Sequence, residues 1–118
     1  MVFNNGMASL QNPPGTPAGA QRTFSAVSEY EIDPIAATAR EVSSFDYDKT
    51  ILSRFCSSAY ESGSATLVSY SQASNGTRAR LVGLDSNKRV AFDFEYTNGG
   101  CNTSWNAAPV KFEYLVFP

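Results

Sequence analysis

The sequence contains no histidine and only two cysteines in 118 residues. Without histidine, the chain lacks the commonest metal ligand and the only side chain that ordinarily titrates between about pH 5 and 8. Ser-His-Asp, Cys-His and histidine-zinc sites cannot be assembled from it, and two cysteines cannot close a four-cysteine zinc site. These absences predict a protein that is not an enzyme, with no catalytic residue, no cofactor and no metal ion.

Charge is also scarce. Charged residues make up 17% of the chain and the net charge is -2. An acidic chain with so few basic residues is not expected to bind nucleic acid. The chain has no run of 18 apolar residues, so membrane insertion is not expected either. Hydrophobic residues at 42% and aromatic residues at 13% are sufficient for a folded core.

Two regions differ in composition. Residues 1–21 contain no charged residue and include the run Asn12-Pro13-Pro14-Gly15-Thr16-Pro17. Proline and glycine favour neither a helix nor a central strand, so this region is predicted to be a linker together with the end of a preceding domain. Residues 22–118 are predicted to be the folded domain. A linker followed by one domain indicates a piece of a longer protein.

The domain shows strand-like alternation of apolar and polar residues, first over 22–33 and last over 109–118, where Val110, Phe112, Tyr114 and Val116 alternate with polar residues. At least five strands with at most one short helix predict an all-β fold, an antiparallel β-sandwich or a partly open barrel. A helix is predicted after Asp48, with Asp48 as its N-cap.

Asn75-Gly76 between two alternating runs is a strong hairpin signal. With these residues at the turn centre, Tyr70 is opposite Leu81. A second turn centred on 86–87 places Leu81 opposite Phe92. The resulting three-stranded meander turns Tyr70, Leu81, Phe92 and Phe94 inward, and it pairs Arg80 with Asp93 and Arg78 with Glu95 on the other face.

Three further features are candidates for function. The outer face of this meander gathers Leu67, Val82, Leu84 and Ala91, an apolar patch that predicts a homodimer through the β-domain. Trp105, in a polar loop, is a candidate for surface recognition. Asp46 and Asp48 leave calcium binding open, although capping is the expected role of Asp48. Cys56 and Cys101 are predicted to be free thiols, with a disulfide as the alternative.

The chain resembles the protruding domain of a small non-enveloped RNA virus capsid, particularly of shrimp and prawn nodaviruses. The resemblance rests on the linker 11–21, on Phe45-Asp46-Tyr47-Asp48 followed by Arg54-Phe55, and on Gly15-Thr16-Pro17-Ala18-Gly19. It implies a structural spike on the virion surface that dimerises, attaches to the capsid shell and contacts a host receptor.

A second hypothesis belongs to a different class of protein. A small secreted β-sandwich that binds carbohydrate or protein would use Trp105, tyrosine side chains and a Cys56–Cys101 bridge. Free thiols favour the capsid hypothesis because capsids assemble in a reducing cytosol, whereas a disulfide favours the secreted module.

Overall fold

Seven strands form two antiparallel sheets in the computed structural model, which describes residues 1–8, 14–17, 19–101, 106–110 and 114–116. The first sheet has the order β1-β2-β3, and the second has the order β4-β5-β6-β7. The strands are β1 (Val2–Asn4), β2 (Ala26–Asp33), β3 (Thr38–Phe45), β4 (Ser58–Ser62), β5 (Ala65–Gln72), β6 (Arg78–Leu84) and β7 (Val90–Thr97). The predicted all-β sandwich is confirmed.

The two sheets pack around a small core. Val27 of the first sheet contacts a cluster that includes Val68, Tyr70, Val82 and Leu84 of the second. These four second-sheet side chains are at most 2% exposed. Burial of such apolar side chains contributes about 1.5–3 kcal/mol each and is the main force that holds the sheets together.

The N-terminal residues take part in the first sheet. Strand β1 pairs with β2, with Phe3 opposite Val27, and the Phe3 ring meets the Tyr70 ring edge-on at 5.6 Å between centroids. These residues therefore lie in the sheet, although the sequence placed them in a preceding domain. The proposed division of the chain at residue 22 stays a prediction.

The hairpin of β2 and β3 extends beyond the core. Strand β2 ends at Asp33 as predicted, and the Asp33 carboxylate accepts hydrogen bonds from the backbone N–H groups of Ile35 at 2.9 Å and Ala36 at 3.0 Å, which fixes the turn. Ile32 and Ile35 are 63% and 97% exposed. The alternation over residues 22–33 therefore does not bury Ile32.

The predicted helix after Asp48 is also wrong. Only a 3-10 turn forms, at Tyr47–Lys49, and residues 50–57 then run irregularly to β4. Asp48 lies inside this turn with φ 53°, so it is not an N-cap. Asp46, the residue before the turn, makes no side-chain capping bond. The one short α-helix of the described residues is α1 (Ala73–Gly76).

The irregular course of residues 50–57 also decides the state of the cysteines. Cys56 and Cys101 form a disulfide with 5.8 Å between their Cα atoms, so the prediction of free thiols is wrong. This contact has no local signal in the sequence, because the two cysteines are 45 positions apart.

The meander of β5, β6 and β7 exists, but its register differs from the predicted one. Both turns form where expected, yet Tyr70 pairs with Arg80 rather than Leu81, and Leu81 pairs with Phe94 rather than Phe92. Phe92 and Phe94 are 53% and 59% exposed and lie, with Leu81, on the face opposite Tyr70. Their predicted inward positions are therefore wrong.

The last predicted strand falls partly on residues 111–113 and 117–118, which lie outside the described residues. Val110, Tyr114 and Val116 are described. None of them is in a strand, and they are 65%, 70% and 93% exposed.

Candidate functional site

A hydrogen-bonded polar group joins the turn at Tyr47–Lys49 to strands β6 and β7. The Arg80 side chain from β6 donates two hydrogen bonds to the Asp93 carboxylate on β7, Nε to Oδ1 and Nη2 to Oδ2, both at 2.7 Å. Arg80 Nη2 also donates to the Tyr47 hydroxyl at 2.8 Å, and that hydroxyl donates to Asp93 Oδ2. Each residue of this triad is thus hydrogen-bonded to the other two.

The triad fixes the protonation states of its members. The hydrogen bonds from Arg80 hold the pKa of Asp93 below its usual range, and the same contact raises the pKa of Arg80. The hydrogen bond to Asp93, together with burial, raises the pKa of the Tyr47 hydroxyl. At neutral pH the group is a carboxylate, a guanidinium and a neutral phenol. Asp93 is therefore poorly suited to act as a general acid.

Two further ion pairs extend the triad along the strands. Arg78 lies 3.3 Å from Glu95, and Arg80 Nη1 lies 3.7 Å from the same carboxylate. The predicted pairs Arg80–Asp93 and Arg78–Glu95 are both confirmed as ion pairs, but they form across the diagonal of the ladder, because Glu95 is the residue directly opposite Arg80. Diagonal neighbours are within reach of long side chains such as arginine.

Tyr47 is presented by a strained turn. Tyr47, Asp48 and Lys49 all have positive φ angles, between 48° and 60°. This is uncommon for residues other than glycine, and its cost must be offset by the surrounding contacts. Tyr47 has such contacts: its ring meets the Phe45 and Tyr70 rings edge-on at 5.9 and 6.4 Å, and the Arg80 guanidinium carbon lies 4.7 Å from the ring centroid.

A cleft of about 470 Å³ opens beside Tyr47. Phe45, Tyr47 and Val90 give it an apolar and aromatic wall, and the loop between β6 and β7 adds Lys88 and Arg89. The remaining lining residues include two acids, Asp46 and Asp48. The cleft therefore combines aromatic surface with both signs of charge and falls in the size range of small-molecule sites.

The two cations of the cleft are held differently. Lys88 bridges to the other sheet through an ion pair with Glu29, whose pKa it lowers, and it lies 3.3 Å from the Thr66 hydroxyl. Arg89 is 75% exposed, and among the described residues its ion-pair partner is Asp85 of its own loop, at 3.0 Å. Exposed pairs of this kind contribute about 0–1 kcal/mol. The Arg89 guanidinium can therefore exchange its partner at little cost.

The four residues predicted to form a dimer patch do not share one surface. Val82 is fully buried and Leu84 is 2% exposed, and both face the core. Leu67, Leu84 and Ala91 nevertheless line one small pocket on the other side of the sheet. The dimer itself stays a prediction. Trp105, the predicted recognition residue, lies outside the described residues.

The acidic residues considered for metal binding do not form a cluster. Among the described residues, no three histidine, cysteine, aspartate or glutamate side chains are arranged to hold a metal ion, and this applies to Asp46 and Asp48. Within the same residues, no helix is long and apolar enough to cross a membrane.

Sequence reasoning missed the cleft. Phe45 and Tyr47 enter the sequence analysis only through the resemblance, Lys88 belongs to the second turn of the meander, and Arg89 belongs to no predicted feature. One available signal was the pair of adjacent basic residues in a chain with just 9 lysines and arginines. The contact between the Tyr47 turn and the strand residue Asp93 spans 46 positions and has no local signal.

The fold and the cleft define a small β-domain with a cleft that combines aromatic surface with both signs of charge. Comparison with known families identifies it further: the arylsulfotransferase (ASST) family matches residues 1–106, and the chain belongs to that family. No curated protein and no solved structure matches the chain.

Membership of this family corrects several of the expectations above. The chain is not a nodavirus-like capsid spike, and its assignment to the virion surface and to host attachment is wrong. The expectation that the protein is not an enzyme is contradicted as well, since the arylsulfotransferase family is a family of enzymes. A proline-rich stretch before a β-domain is an architectural feature that unrelated proteins share, so it did not identify a function.

A second copy of the chain stays a predicted partner. The capsid shell and the host receptor were implied by the resemblance to a capsid spike alone.

Proposed function

We propose that this chain takes part in sulfuryl transfer between aryl compounds and that the cleft beside Tyr47 binds the aryl sulfate ester. The observation that carries the proposal is the meeting of Phe45 and Tyr47 with Lys88 and Arg89 in one cleft. An aryl sulfate has the same two parts, a flat apolar ring and a single negative charge at one end.

The arrangement of charges orients such a ligand. Its ring fits the wall formed by Phe45, Tyr47 and Val90, where aromatic pairs contribute about 0.5–1.5 kcal/mol beyond burial. Its sulfate group is repelled by Asp46 and Asp48 and attracted to Lys88 and Arg89. Since Arg89 is exposed and only weakly held by Asp85, its guanidinium is the group that turns to the sulfate.

The triad supplies a rigid floor for this site. Tyr47 belongs both to the cleft and to the triad with Arg80 and Asp93, so its ring is fixed before any ligand binds. Preorganisation of this kind improves binding because no side chain must be ordered when the ligand arrives. Because the chain has no histidine, the proton-handling groups at the cleft are tyrosine and carboxylates.

The disulfide supports a compartment for this function. Structural disulfides persist in oxidising surroundings, such as the bacterial periplasm or the outside of the cell, and are rare in the cytosol. We therefore place the chain with its Cys56–Cys101 bond in such a compartment.

The test is an NMR titration of the full chain with phenyl sulfate, with Arg89→Gln as the variant and Arg40→Gln as the control. The two arginines are 75% and 73% exposed, and each pairs with one acid on the surface, but only Arg89 lines the cleft. We expect Arg89→Gln to raise the Kd for phenyl sulfate by at least about fivefold and Arg40→Gln to change it by less than about twofold. Equal effects of the two variants, or shifts remote from Phe45 and Tyr47, would contradict the proposal.

A further inference from the structure

Three basic side chains of the molecule differ from the rest because they have no acidic partner. The described residues include eight lysines and arginines, of which five form ion pairs, namely Arg40, Arg78, Arg80, Lys88 and Arg89. The other three, Arg22, Lys49 and Arg54, have no ion-pair partner among the described residues. In a chain with a net charge of -2, unneutralised cations that lie close together favour the binding of an anion.

Two of these residues are held by the loop that follows β1. The Asn5 side chain donates a hydrogen bond from Nδ2 to the carbonyl oxygen of Arg54 at 2.8 Å. The carbonyl oxygen of the next residue, Gly6, accepts a hydrogen bond from the backbone N–H of Arg22, also at 2.8 Å. Arg22 and Arg54 therefore lie at the same end of the sandwich, although they are far apart in the sequence.

Arg22 and Lys49 share one aromatic ring. The Arg22 guanidinium carbon lies 5.0 Å from the centroid of the Phe24 ring, and Lys49 Nζ lies 5.6 Å from the same centroid. The two charges are therefore less than about 11 Å apart. The ring attracts each cation through its quadrupole but carries no charge that would neutralise them. Because like charges at this range repel each other, an anion bound to both would be stabilised by both.

The guanidinium of Arg22 supplies an independent observation. Its Nη2 atom is buried and has no hydrogen-bond partner among the described residues. Buried N–H groups are ordinarily paired, so an unpaired one marks a position for an acceptor that comes from outside the chain. A guanidinium presents its N–H donors in a planar fork that fits the oxygen atoms of a phosphate or carboxylate. Arg22 therefore favours an oxyanion over a halide.

The turn at Tyr47–Lys49 keeps acidic side chains out of this region. Asp46 and Asp48, the acids nearest to Lys49 in the sequence, both line the cleft beside Tyr47, whereas Lys49 does not. Neither acid forms an ion pair with Lys49. The ammonium group at the Phe24 ring is therefore available to an external anion, and this place is separate from the cleft.

We propose that Arg22 and Lys49 together bind a phosphate group beside the Phe24 ring. A phosphate group carries nearly two negative charges above about pH 7, so its charge matches two cations, whereas an aryl sulfate carries only one. Its oxygen atoms can accept hydrogen bonds from the guanidinium and from the ammonium group at once. Inorganic phosphate and a phosphomonoester present the same group to the site. The inference does not depend on the function proposed for the cleft.

The experiment is an NMR titration of the full chain with inorganic phosphate and with glycerol phosphate, at about pH 8 and at constant ionic strength, since salt screens exposed charges. Arg22→Gln and Lys49→Gln each remove one cation from the Phe24 ring. Arg54→Gln is the matched control, because Arg54 is also unpaired and lies at the same end. We expect each of the first two variants to raise the Kd for phosphate at least about fivefold and the control to change it less than about twofold.

The outcomes separate this inference from the proposed function. An equal loss in Arg54→Gln would show general attraction to a basic surface and would overturn the site, as would shifts remote from Phe24. Phenyl sulfate that binds here as tightly as phosphate would overturn the match of two charges with two. A lower Kd for glycerol phosphate identifies a phosphomonoester as the ligand, and a lower Kd for inorganic phosphate identifies the free ion. If phosphate binding depends on Arg22 while phenyl sulfate ignores Arg89→Gln, the phosphate site stands and the proposed function fails.

Discussion

The two faces of the second sheet differ in their charged and aromatic residues. The face toward the first sheet carries every charged residue of β4 to β7, namely Glu61, Arg78, Arg80, Asp93 and Glu95, beside the core residues Val68, Tyr70, Val82 and Leu84. The opposite face carries none and exposes aromatic rings. In a sandwich the inner faces are ordinarily apolar and the outer faces polar.

The difference shows how one face of a sheet can carry paired charges beside a core. Apart from Glu61 on β4, the inner charges lie at one end of the sheet, where Tyr47 folds over Arg80 and both Asp93 and Glu95 have an arginine within 3.7 Å. Paired in this way, the charges avoid the large cost of burial alone. The inner face is therefore divided between a core and a preorganised polar site, and the apolar surface left over lies on the outer face.

The largest expected effect on stability is found by comparing an aspartate on the inner face with an aspartate on the outer face. Val82→Asp buries an unpaired carboxylate at a fully buried position directly opposite Asp93, and we expect it to lower the free energy of unfolding by more than about 4 kcal/mol. Phe94→Asp, on the exposed face, should cost about 1 kcal/mol or less. Urea denaturation followed by circular dichroism measures both.

This comparison has a clear opposite outcome. If Val82→Asp folds with near-normal stability while Phe94→Asp unfolds, the inner and outer faces are reversed. The measurement would then support the register predicted from the sequence and contradict the burial of Val82.

The sequence predicts the meander correctly but assigns β6 and β7 the wrong faces relative to β5. One extra residue in β5 explains this error. The predicted register holds next to the turn, where Ala73 pairs with Arg78. Ser71 and Gln72 then lie opposite Ala79 alone, since the next pair is Tyr70 with Arg80. Such a bulge has no reliable local signal, and one extra residue moves every following side chain to the other face.

Other features were predictable to different degrees. The turn at Asn75-Gly76 and the end of β2 at Asp33 were predictable from their turn-forming residues, because turn chemistry is local. The all-β class followed from alternation. The cleft, the disulfide and the Tyr47–Asp93 contact could not be predicted, because each joins residues more than 40 positions apart and depends on the irregular path of residues 46–57.

A smaller effect is expected from Asp93, and it depends on pH. The pKa of Asp93 is lowered in the folded protein, mainly by Arg80, so ionised Asp93 stabilises the fold at pH values above its ordinary pKa of about 4. This stabilisation is lost as the pH falls below about 4, toward the lower pKa of the folded state. Asp93→Asn should therefore lower stability at pH 7 by about 1–2 kcal/mol.

The pH dependence of unfolding supplies the check. The difference between the natural chain and Asp93→Asn should shrink as the pH falls from about 6 to 3. Glu31→Gln, which removes an acid from the exposed pair with Arg40 at the far hairpin, is the control and should show almost no effect. A difference that is constant with pH would mean that the carboxylate charge of Asp93 does not stabilise the fold.

The smallest expected change in stability concerns Tyr47 and Tyr70, whose rings meet on the inner face. Tyr47 has a hydroxyl with two partners, whereas the hydroxyl of the fully buried Tyr70 has no hydrogen-bond partner among the described residues. Burial also raises the pKa of Tyr70, which keeps it neutral. Because an unpaired buried hydroxyl destabilises the fold, Tyr70→Phe should leave the free energy of unfolding unchanged or raise it by up to about 1 kcal/mol, whereas Tyr47→Phe should lower it by about 1 kcal/mol. Urea midpoints at constant m-value measure both changes. A loss of more than about 1 kcal/mol in Tyr70→Phe would show that its hydroxyl is satisfied, for instance by a buried water molecule between the sheets.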